Sequence, residues 1–134
     1  MVAQDEEIKI YGAEPAGADD AMRSLRSGQR VLSHDPETIC DGLLTTVGDR
    51  NWDIIQHRVE DILVVKDNET VAAMHLIWTR MKQVVEPSSA VSLAAILKHR
   101  SIFAGQRVGI ILTGGNVDPV DLPFQLSNKG GNLP

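Results

Sequence analysis

A continuous apolar run, Val-Gly-Ile-Ile-Leu at residues 108–112, limits the folds open to this chain more than any other feature. The polar and glycine-rich stretch Thr113-Gly114-Gly115-Asn116 ends it at once. A short run that is apolar on both alternating faces is typical of a β-strand covered on both sides, as in a parallel sheet between helices. The run therefore predicts an α/β fold with a buried strand at residues 108–112.

Strand and helix patterns alternate along the rest of the chain, which favours a mainly parallel sheet. Short strands are predicted at residues 8–11 and 62–65, and residues 29–41 are polar and predict a loop. Helices are predicted over residues 18–27 and 52–62, from Asp67 or Asn68 as N-cap to about Val84, and from Pro87 to about Leu97. About three strands make a thin sheet, whose apolar edges stay uncovered unless more chain or a partner covers them.

Composition excludes several classes of protein. The formal charge is −5 and no basic cluster is present, which argues against nucleic acid or an anionic membrane as partners. No run approaches the ~18 apolar residues of a membrane span, and the acidic start lacks the pattern of a secretory signal. Cys40 is the single cysteine, so no internal disulfide can form, and a cytoplasmic location is expected. We predict one unit over residues 1–124 and a loose polar tail over residues 125–134.

Two places suit a ligand, because ligands of parallel sheets gather beyond the carboxyl ends of the strands. Thr113-Gly114-Gly115-Asn116 offers a hydroxyl and a backbone that a ligand can approach closely. The segment after the first strand carries carboxylates on Glu14, Asp19 and Asp20, the oxygen ligands that hard cations prefer. Each signal alone has a simpler interpretation, a turn in the first case and helix N-terminal charges in the second.

The order of several short segments is more specific than any one of them. They are Ala13-Glu14-Pro15, Ala18-Asp19-Asp20, Thr38-Ile39-Cys40-Asp41-Gly42, Val85-Glu86-Pro87-Ser88 and Leu112-Thr113-Gly114-Gly115-Asn116-Val117-Asp118. In this order they resemble the second half of the serine racemase and serine/threonine dehydratase family of pyridoxal-phosphate enzymes, which also includes hydroxyaspartate dehydratases. The family usually has alanine where Cys40 stands and serine where Thr113 stands. The resemblance covers roughly residues 8–118, less than half of a family member.

The resemblance implies a fold and a set of site residues. The fold is the C-terminal portion of the large domain of a fold type II pyridoxal-phosphate enzyme, in a parent that is a homodimer acting on serine or threonine. Glu14, the Ala18 carbonyl and Asp20 match a site for Mg²⁺, Mn²⁺ or Ca²⁺. Thr113 matches the hydroxyl at the pyridine nitrogen of the cofactor, and Gly42 matches a glycine beside the ring. Asn116, and with it Lys82, match the site at which ATP activates some members.

The implied role of Thr113 agrees with the chemistry. A neutral hydroxyl at the ring nitrogen does not enforce its protonation as an aspartate would, so the ring withdraws electrons less strongly. Such a site suits removal of an α-proton and β-elimination of hydroxyl from serine. A threonine keeps the hydroxyl and adds one methyl group, so we expect the contact to survive in this chain.

One essential group is not found in the sequence. Pyridoxal enzymes hold the cofactor on a lysine, which this family places upstream in a Ser-x-Lys-x-Arg-Gly segment, and Lys9, Lys66, Lys82, Lys98 and Lys129 lack that context. We therefore expect an incomplete gene model, a partial clone or a naturally shortened product that is inactive alone. Two alternatives remain, a shortened subunit that pairs with a full-length enzyme and an unrelated α/β binding domain.

Overall fold

A parallel pair of strands forms the centre of the computed structural model, which describes residues 8–124. β1 (Ile10–Pro15) and β2 (Val59–Val65) pair from Tyr11 opposite Asp61 to Pro15 opposite Val65, with a shift of register after Ile10. These strands form the one sheet within residues 8–124. The predicted α/β fold with a partial parallel sheet is confirmed, although β1 spans Ile10–Pro15 and not the predicted residues 8–11.

Helices connect and cover the two strands. Between the strands lie α1 (Asp20–Ser27), a 3₁₀ turn (Asp41–Leu43) and α2 (Asp49–Arg58). After β2 come α3 (Asp67–Leu76), a π-type turn (Ile77–Met81), α4 (Pro87–Lys98), α5 (Arg100–Phe103) and a 3₁₀ turn (Pro119–Asp121). No helix within residues 8–124 has the length and apolar character needed to cross a bilayer.

The helix ends follow from local chemistry. Gly28 ends α1 in the left-handed region at φ 71°, and Pro87 occupies the first turn of α4, both as predicted. The prediction of Asp67 or Asn68 as the N-cap of α3 is wrong. Lys66 holds that position, and its N–H donates to the Glu69 carboxylate at 2.7 Å. The Asp67 side chain does not cap the helix and instead binds the loop at Thr38 and Ile39.

The core lies where α3 and α4 pack on each other and on the sheet. Small side chains on both helices, including the fully buried Ala73 and Ala90, allow the two backbones to approach closely. Met74 is also fully buried and contributes on the order of 2 kcal/mol by leaving water. Buried residues form two clusters: Cys40, Leu63, Val65, Ala73, Val91, Ala94 and Ala95 in one, and Met74, Ile77, Val85, Ala90 and Leu122 in the other.

The strand predicted at residues 108–112 is absent. These residues are irregular and lie largely in solvent, with Ile111 81% exposed. A strand requires a neighbour that satisfies its backbone N–H and C=O groups, and no strand lies beside residues 108–112 in the described part of the chain. The sheet was expected to leave apolar residues uncovered unless more chain or a partner covers them, and residues 8–124 do leave 108–112 exposed. The tail predicted at residues 125–134 lies outside the described residues.

Candidate functional site

A cleft of about 430 Å³ opens at the carboxyl end of β1. It lies between the first turns of α4 and the residues that follow the 108–112 run. Its lining combines apolar side chains with hydroxyls, and includes Ala13, Leu43, Val91, Ser88, Ser89 and Ser92. A cleft in this position is where parallel α/β folds commonly bind ligands.

Two consecutive serines in the first turn of α4 each bind another segment that lines this cleft. The Gly42 N–H donates to Ser88 Oγ at 3.0 Å, and the Thr113 N–H donates to Ser89 Oγ, also at 3.0 Å. A Cβ added at Gly42 would lie 3.0 Å from Ser88 Oγ, so the close approach favours glycine. The structure thus brings together the two residues predicted to contact the cofactor, Gly42 and Thr113.

Glu86 ties the loop at residues 113–116 to the start of α4. Its N–H donates to the Gly114 carbonyl at 3.1 Å, and its carboxylate accepts from the Asn116 N–H at 3.0 Å. A Cβ at Gly115 would lie 2.7 Å from the Val84 carbonyl oxygen, so this position requires glycine. Glu86 is the N-cap residue of α4, and its contact with this loop is one that sequence reasoning missed.

The predicted nucleotide residues occupy one region without contacting each other. The loop that carries Asn116 packs against Val84, two positions along the chain from Lys82. Lys82 is exposed and takes a left-handed φ of 59° where the π-type turn ends. Within residues 8–124 no hydrogen bond or ion pair joins Lys82 to Asn116, and their role at a nucleotide site stays a prediction.

The acidic segment after β1 is organised around the N-terminus of α1. The Glu14 carboxylate accepts from the N–H groups of Ala21 at 3.2 Å and Met22 at 2.9 Å. The predicted alternative, a carboxylate that complements a helix start, therefore describes the hydrogen bonds of Glu14. Ala18 is 1% exposed and Asp20 is 2% exposed, whereas Glu14 is half-buried, so the three predicted cation residues lie in one segment that is largely buried.

The electrostatics of this segment suit a cation. The pKa of Glu14 is raised from 4.5 to about 7, chiefly by burial and in smaller part by the negative charges of Asp20 and Asp19, while the N–H groups of Met22 and Ala21 oppose the rise. Carboxylates that repel one another across a short gap gain stability when a cation lies between them. In the described part of the chain no three His, Cys, Asp or Glu side chains converge as a metal site, so a cation here would also need the Ala18 carbonyl and water.

His34 is a polar neighbour of this segment that sequence reasoning missed. Its Nε2 lies 3.8 Å from Asp20 Oδ1, and its side chain is only 6% exposed. Both ring nitrogens lack a hydrogen-bond partner among the described residues. Asp20 Oδ2 accepts from the Val47 N–H at 3.0 Å, so Oδ1 is the oxygen that faces the ring. No signal in the sequence distinguishes His34 from other loop residues.

Asp67 is a second missed residue, because it supports the loop that leads to Gly42. Its carboxylate accepts from Thr38 Oγ1 at 2.6 Å and from the Ile39 N–H at 3.0 Å. Cys40, which follows Ile39, is fully buried, and burial raises the pKa of its thiol to about 11. A thiol in this environment is not a nucleophile at neutral pH.

No lysine among residues 8–124 lines the cleft. Lys98 Nζ binds the Val64 carbonyl at 3.0 Å and the Glu69 carboxylate at 2.9 Å, on another side of the fold. Lys66 caps α3, and Lys82 is exposed on the π-type turn. The cleft therefore presents backbone, hydroxyl and apolar groups to a ligand but no amine in the part of the chain that the structure describes.

The fold and the cleft define a portion of an α/β domain that binds its ligand beyond the ends of parallel strands. The family described as "Pyridoxal-phosphate dependent enzyme" matches residues 2–114. Since the match covers most of the sequence, the chain belongs to this family of pyridoxal-phosphate enzymes. The family resemblance identified in the sequence is confirmed.

Individual relatives show which members of the family this chain is similar to. The chain is 48% identical over 118 residues to the beta-hydroxyaspartate dehydratase of Paracoccus denitrificans, covering 88% of this chain and 38% of that protein. It is 50% identical over 115 residues to the serine racemase of Dictyostelium discoideum, covering 83% of this chain and 36% of the relative. The structure of maize serine racemase superposes with a TM-score of 0.81 at 36% identity, over 92% of this chain and 39% of that chain. The chain thus spans little more than a third of the relatives it matches.

Proposed function

We propose that this chain forms one wall of the cofactor site of a serine racemase or serine/threonine dehydratase. The whole enzyme interconverts L- and D-serine and eliminates water from serine to give pyruvate and ammonia. The observation that carries the proposal is the pair of bonds from the first turn of α4, which holds Gly42 and Thr113 on one cleft. Relatives that act on serine and on hydroxyaspartate support a small amino acid as substrate.

The residues of the cleft fit pyridoxal phosphate. When bound, the cofactor withdraws electrons from the substrate and so weakens the bonds at its α-carbon. Thr113 supplies a neutral hydroxyl for the ring nitrogen, and the backbone at Gly42 allows a flat ring to lie close. Ala13, Leu43 and Val91 provide an apolar lining that excludes water from the ring. The chain's own part is to position the ring and to leave its nitrogen without an enforced charge.

The segment after β1 fits a divalent cation, for which Mg²⁺, Mn²⁺ and Ca²⁺ are candidates. Glu14 and Asp20 supply carboxylate oxygens, and the Ala18 carbonyl completes a set of hard ligands. The raised pKa of Glu14 is consistent with this assignment: its main cause is burial, and the negative charges of Asp20 and Asp19 add to it. A bound cation would offset that repulsion and stabilise the connection between β1 and α1.

The remaining proposals concern activation by ATP, the oligomeric state and the cellular location. Asn116 and Lys82 are candidates for an activating ATP site, supported by the packing of the 113–116 loop on Val84. The active form would be a cytoplasmic homodimer in which residues 1–124 belong to the large domain.

The chain alone should be inactive, because no described lysine reaches the cleft. Purified chain mixed with pyridoxal phosphate and L-serine should give no D-serine and no pyruvate above free cofactor. A chimera in which this chain replaces the matching part of the Dictyostelium serine racemase should restore turnover. A chimera that folds as a dimer and binds the cofactor yet turns over no serine or hydroxyaspartate would contradict the proposed function.

A shortened, non-catalytic subunit that pairs with a full-length enzyme is the second candidate. The exposed apolar residues at 108–112 favour it, since a surface of this kind is usually an interaction site. Co-purification of this chain with a full-length enzyme would support the subunit role. A stable, soluble monomer that does not bind such an enzyme would count against that role.

A further inference from the structure

His34 brings two unpartnered ring nitrogens to the acidic segment after β1. Its side chain is only 6% exposed, yet neither Nδ1 nor Nε2 has a hydrogen-bond partner among residues 8–124. A buried polar atom without a partner is costly, so a buried imidazole normally forms at least one hydrogen bond. The ring of His34 therefore points to a partner that is not part of the polypeptide.

Two contacts hold the loop that carries His34 in place. Before His34, the Val31 N–H donates to Ser24 Oγ at 2.9 Å, and Ser24 is fully buried in α1. After His34, the Glu37 N–H donates to the Gly17 carbonyl at 2.8 Å. A Cβ added at Gly17 would lie 1.7 Å from the Glu37 carbonyl oxygen, so this contact requires glycine. The loop is thus fixed on both sides of His34, which holds the ring over the segment.

Asp20 turns one carboxylate oxygen toward this ring. The Val47 N–H donates to Asp20 Oδ2 at 3.0 Å, and the Arg30 guanidinium donates to the Val47 carbonyl at 2.8 Å. The other oxygen, Asp20 Oδ1, lies 3.8 Å from His34 Nε2, and both side chains are buried. The carboxylate is therefore oriented by the backbone, with Oδ1 left to face the imidazole.

The distance between these two atoms suits a shared metal ion better than a shared proton. A charge-assisted hydrogen bond between a histidine and a carboxylate would bring the atoms to about 2.7–2.9 Å. Metal bonds of about 2.0–2.2 Å place two ligand atoms on one Zn²⁺ roughly 3–4 Å apart. The observed 3.8 Å lies in the second range.

We propose that His34 is a nitrogen ligand of the cation site, and that it makes the site prefer a divalent transition metal such as Zn²⁺ over Mg²⁺ and Ca²⁺. The inference rests on the proposed cation site and adds one ligand to it. Oxygen ligands alone favour hard cations, whereas an imidazole favours Zn²⁺ and similar ions. Asp20 and His34 supply one ligand each, and the Ala18 carbonyl, Glu14 and water are the candidates for the remaining positions.

Nitrogen NMR of the histidine rings in the intact chain tests this role. The chain has four histidines, and each ring is assigned through its bonds to the backbone. One equivalent of Zn²⁺ at neutral pH should move the Nε2 signal of His34 to the range of a metal-bound nitrogen. The rings of His57, His75 and His99 should keep their signals, and one equivalent of Mg²⁺ should leave the His34 ring unchanged.

Titration calorimetry measures the preference. The wild type should bind Zn²⁺ at least about a hundredfold more tightly than Mg²⁺, and His34→Gln should lose at least about tenfold in Zn²⁺ affinity. His34→Gln should keep its Mg²⁺ affinity within about threefold, because the oxygen ligands remain. His57→Gln changes an exposed histidine on α2 and should retain both wild-type affinities. His34→Phe is the second variant if His34→Gln disturbs folding by circular dichroism, and the ring signals of the wild type need no variant.

Three results would overturn the inference: no change at the His34 ring with Zn²⁺, equal Zn²⁺ affinities for the wild type and the His34 variants, or equal affinities of the wild type for Zn²⁺ and Mg²⁺. A His34 ring that carries protons on both nitrogens and ignores Zn²⁺ would assign the gap to an ion pair with Asp20. Binding that depends on Glu14 and Asp20 but not on His34 would overturn this inference and leave the proposed cation site standing. A chain that binds none of these ions would overturn both.

Discussion

The Glu14 carboxylate accepts a hydrogen bond from the Met22 N–H at 2.9 Å, which joins the end of β1 to the first turn of α1. A second bond, from the Ala21 N–H, completes this arrangement. Burial nevertheless makes the charged form of Glu14 costly and raises its pKa to about 7. A side chain that closes a helix start in this way and faces other carboxylates is able to bind either a proton or a cation.

The first prediction concerns the pH dependence of stability in the presence of a chelator. Because the pKa of Glu14 is higher in the folded chain than its ordinary value of 4.5, the folded chain binds this proton more tightly. Its contribution is therefore fully present below about pH 4.5 and is lost as the pH rises through about 7. With solvent screening allowed for, the loss is about 2 kcal/mol.

Urea unfolding of the wild type and Glu14→Gln between pH 4.5 and 8 measures this effect. The wild type should lose stability relative to Glu14→Gln across this range. Glu60→Gln, which changes an exposed glutamate on β2, should follow the wild type. Parallel profiles for the wild type and Glu14→Gln would show that Glu14 titrates alike in both states.

The second prediction is that a divalent cation stabilises the chain through this segment. Mn²⁺ at about 100 times its dissociation constant should raise the free energy of unfolding by about 2.7 kcal/mol. Glu14→Gln and Asp20→Asn should each lose most of that increment, since each removes a charged oxygen ligand. The increment, measured with and without Mn²⁺ for each variant, separates cation binding from any effect of the substitution on folding.

Asp19→Asn is the matched control for the cation prediction. Asp19 lies next to Asp20, but its carboxylate pairs with Arg23 at 2.8 Å on the exposed side of α1. Asp19→Asn should keep most of the Mn²⁺ increment. An equal increment in all four proteins would place the cation elsewhere on the chain.

Patterns that are local in sequence predicted their elements well. Gly28 marks the end of α1, and Pro87 marks the start of α4, because each acts through its own backbone geometry. The prediction at residues 108–112 failed for the opposite reason. A strand is defined by its neighbour, and an apolar pattern reports only that a neighbour is required.

In the candidate site, too, features local in sequence were predicted and features that depend on distant segments were missed. The family resemblance of the short motifs predicted site roles for Gly42 and Thr113, and the structure brings both residues to one cleft. The serines that hold them and the buried His34 were missed, since these roles arise from contacts between segments distant in sequence. A hydroxyl at a helix start has a local explanation as a capping group, which hides a long-range partner.

The third prediction tests Thr113 in the chimera with the Dictyostelium serine racemase. Thr113→Val keeps the shape of the side chain and removes its hydroxyl, while the backbone bond to Ser89 is unaffected. Loss of one hydrogen bond to the cofactor should lower kcat/KM for serine by roughly tenfold or more. Thr113→Ser, which restores the residue that the family usually has, should stay close to the unsubstituted chimera. Equal activities for the valine and serine variants would show that the Thr113 hydroxyl does not contact the cofactor.

The fourth prediction is that Asp67 holds the loop that leads to Gly42. Asp67→Ala removes the acceptor of the Thr38 hydroxyl and the Ile39 N–H, and should destabilise the chain by about 1–3 kcal/mol. Asn68→Ala, at the exposed next position of α3, should change stability by less than about 0.5 kcal/mol.

Amide exchange distinguishes a local role of Asp67 from a general one. If Asp67 acts by positioning the loop, Asp67→Ala should accelerate exchange in residues 38–42 more than in β2 or α4, under conditions in which the chain stays folded. The Gly42 N–H is the most informative probe, because its bond to Ser88 Oγ joins this loop to the cofactor cleft. Uniform acceleration across the chain would mean that Asp67 supports overall stability and does not position Gly42.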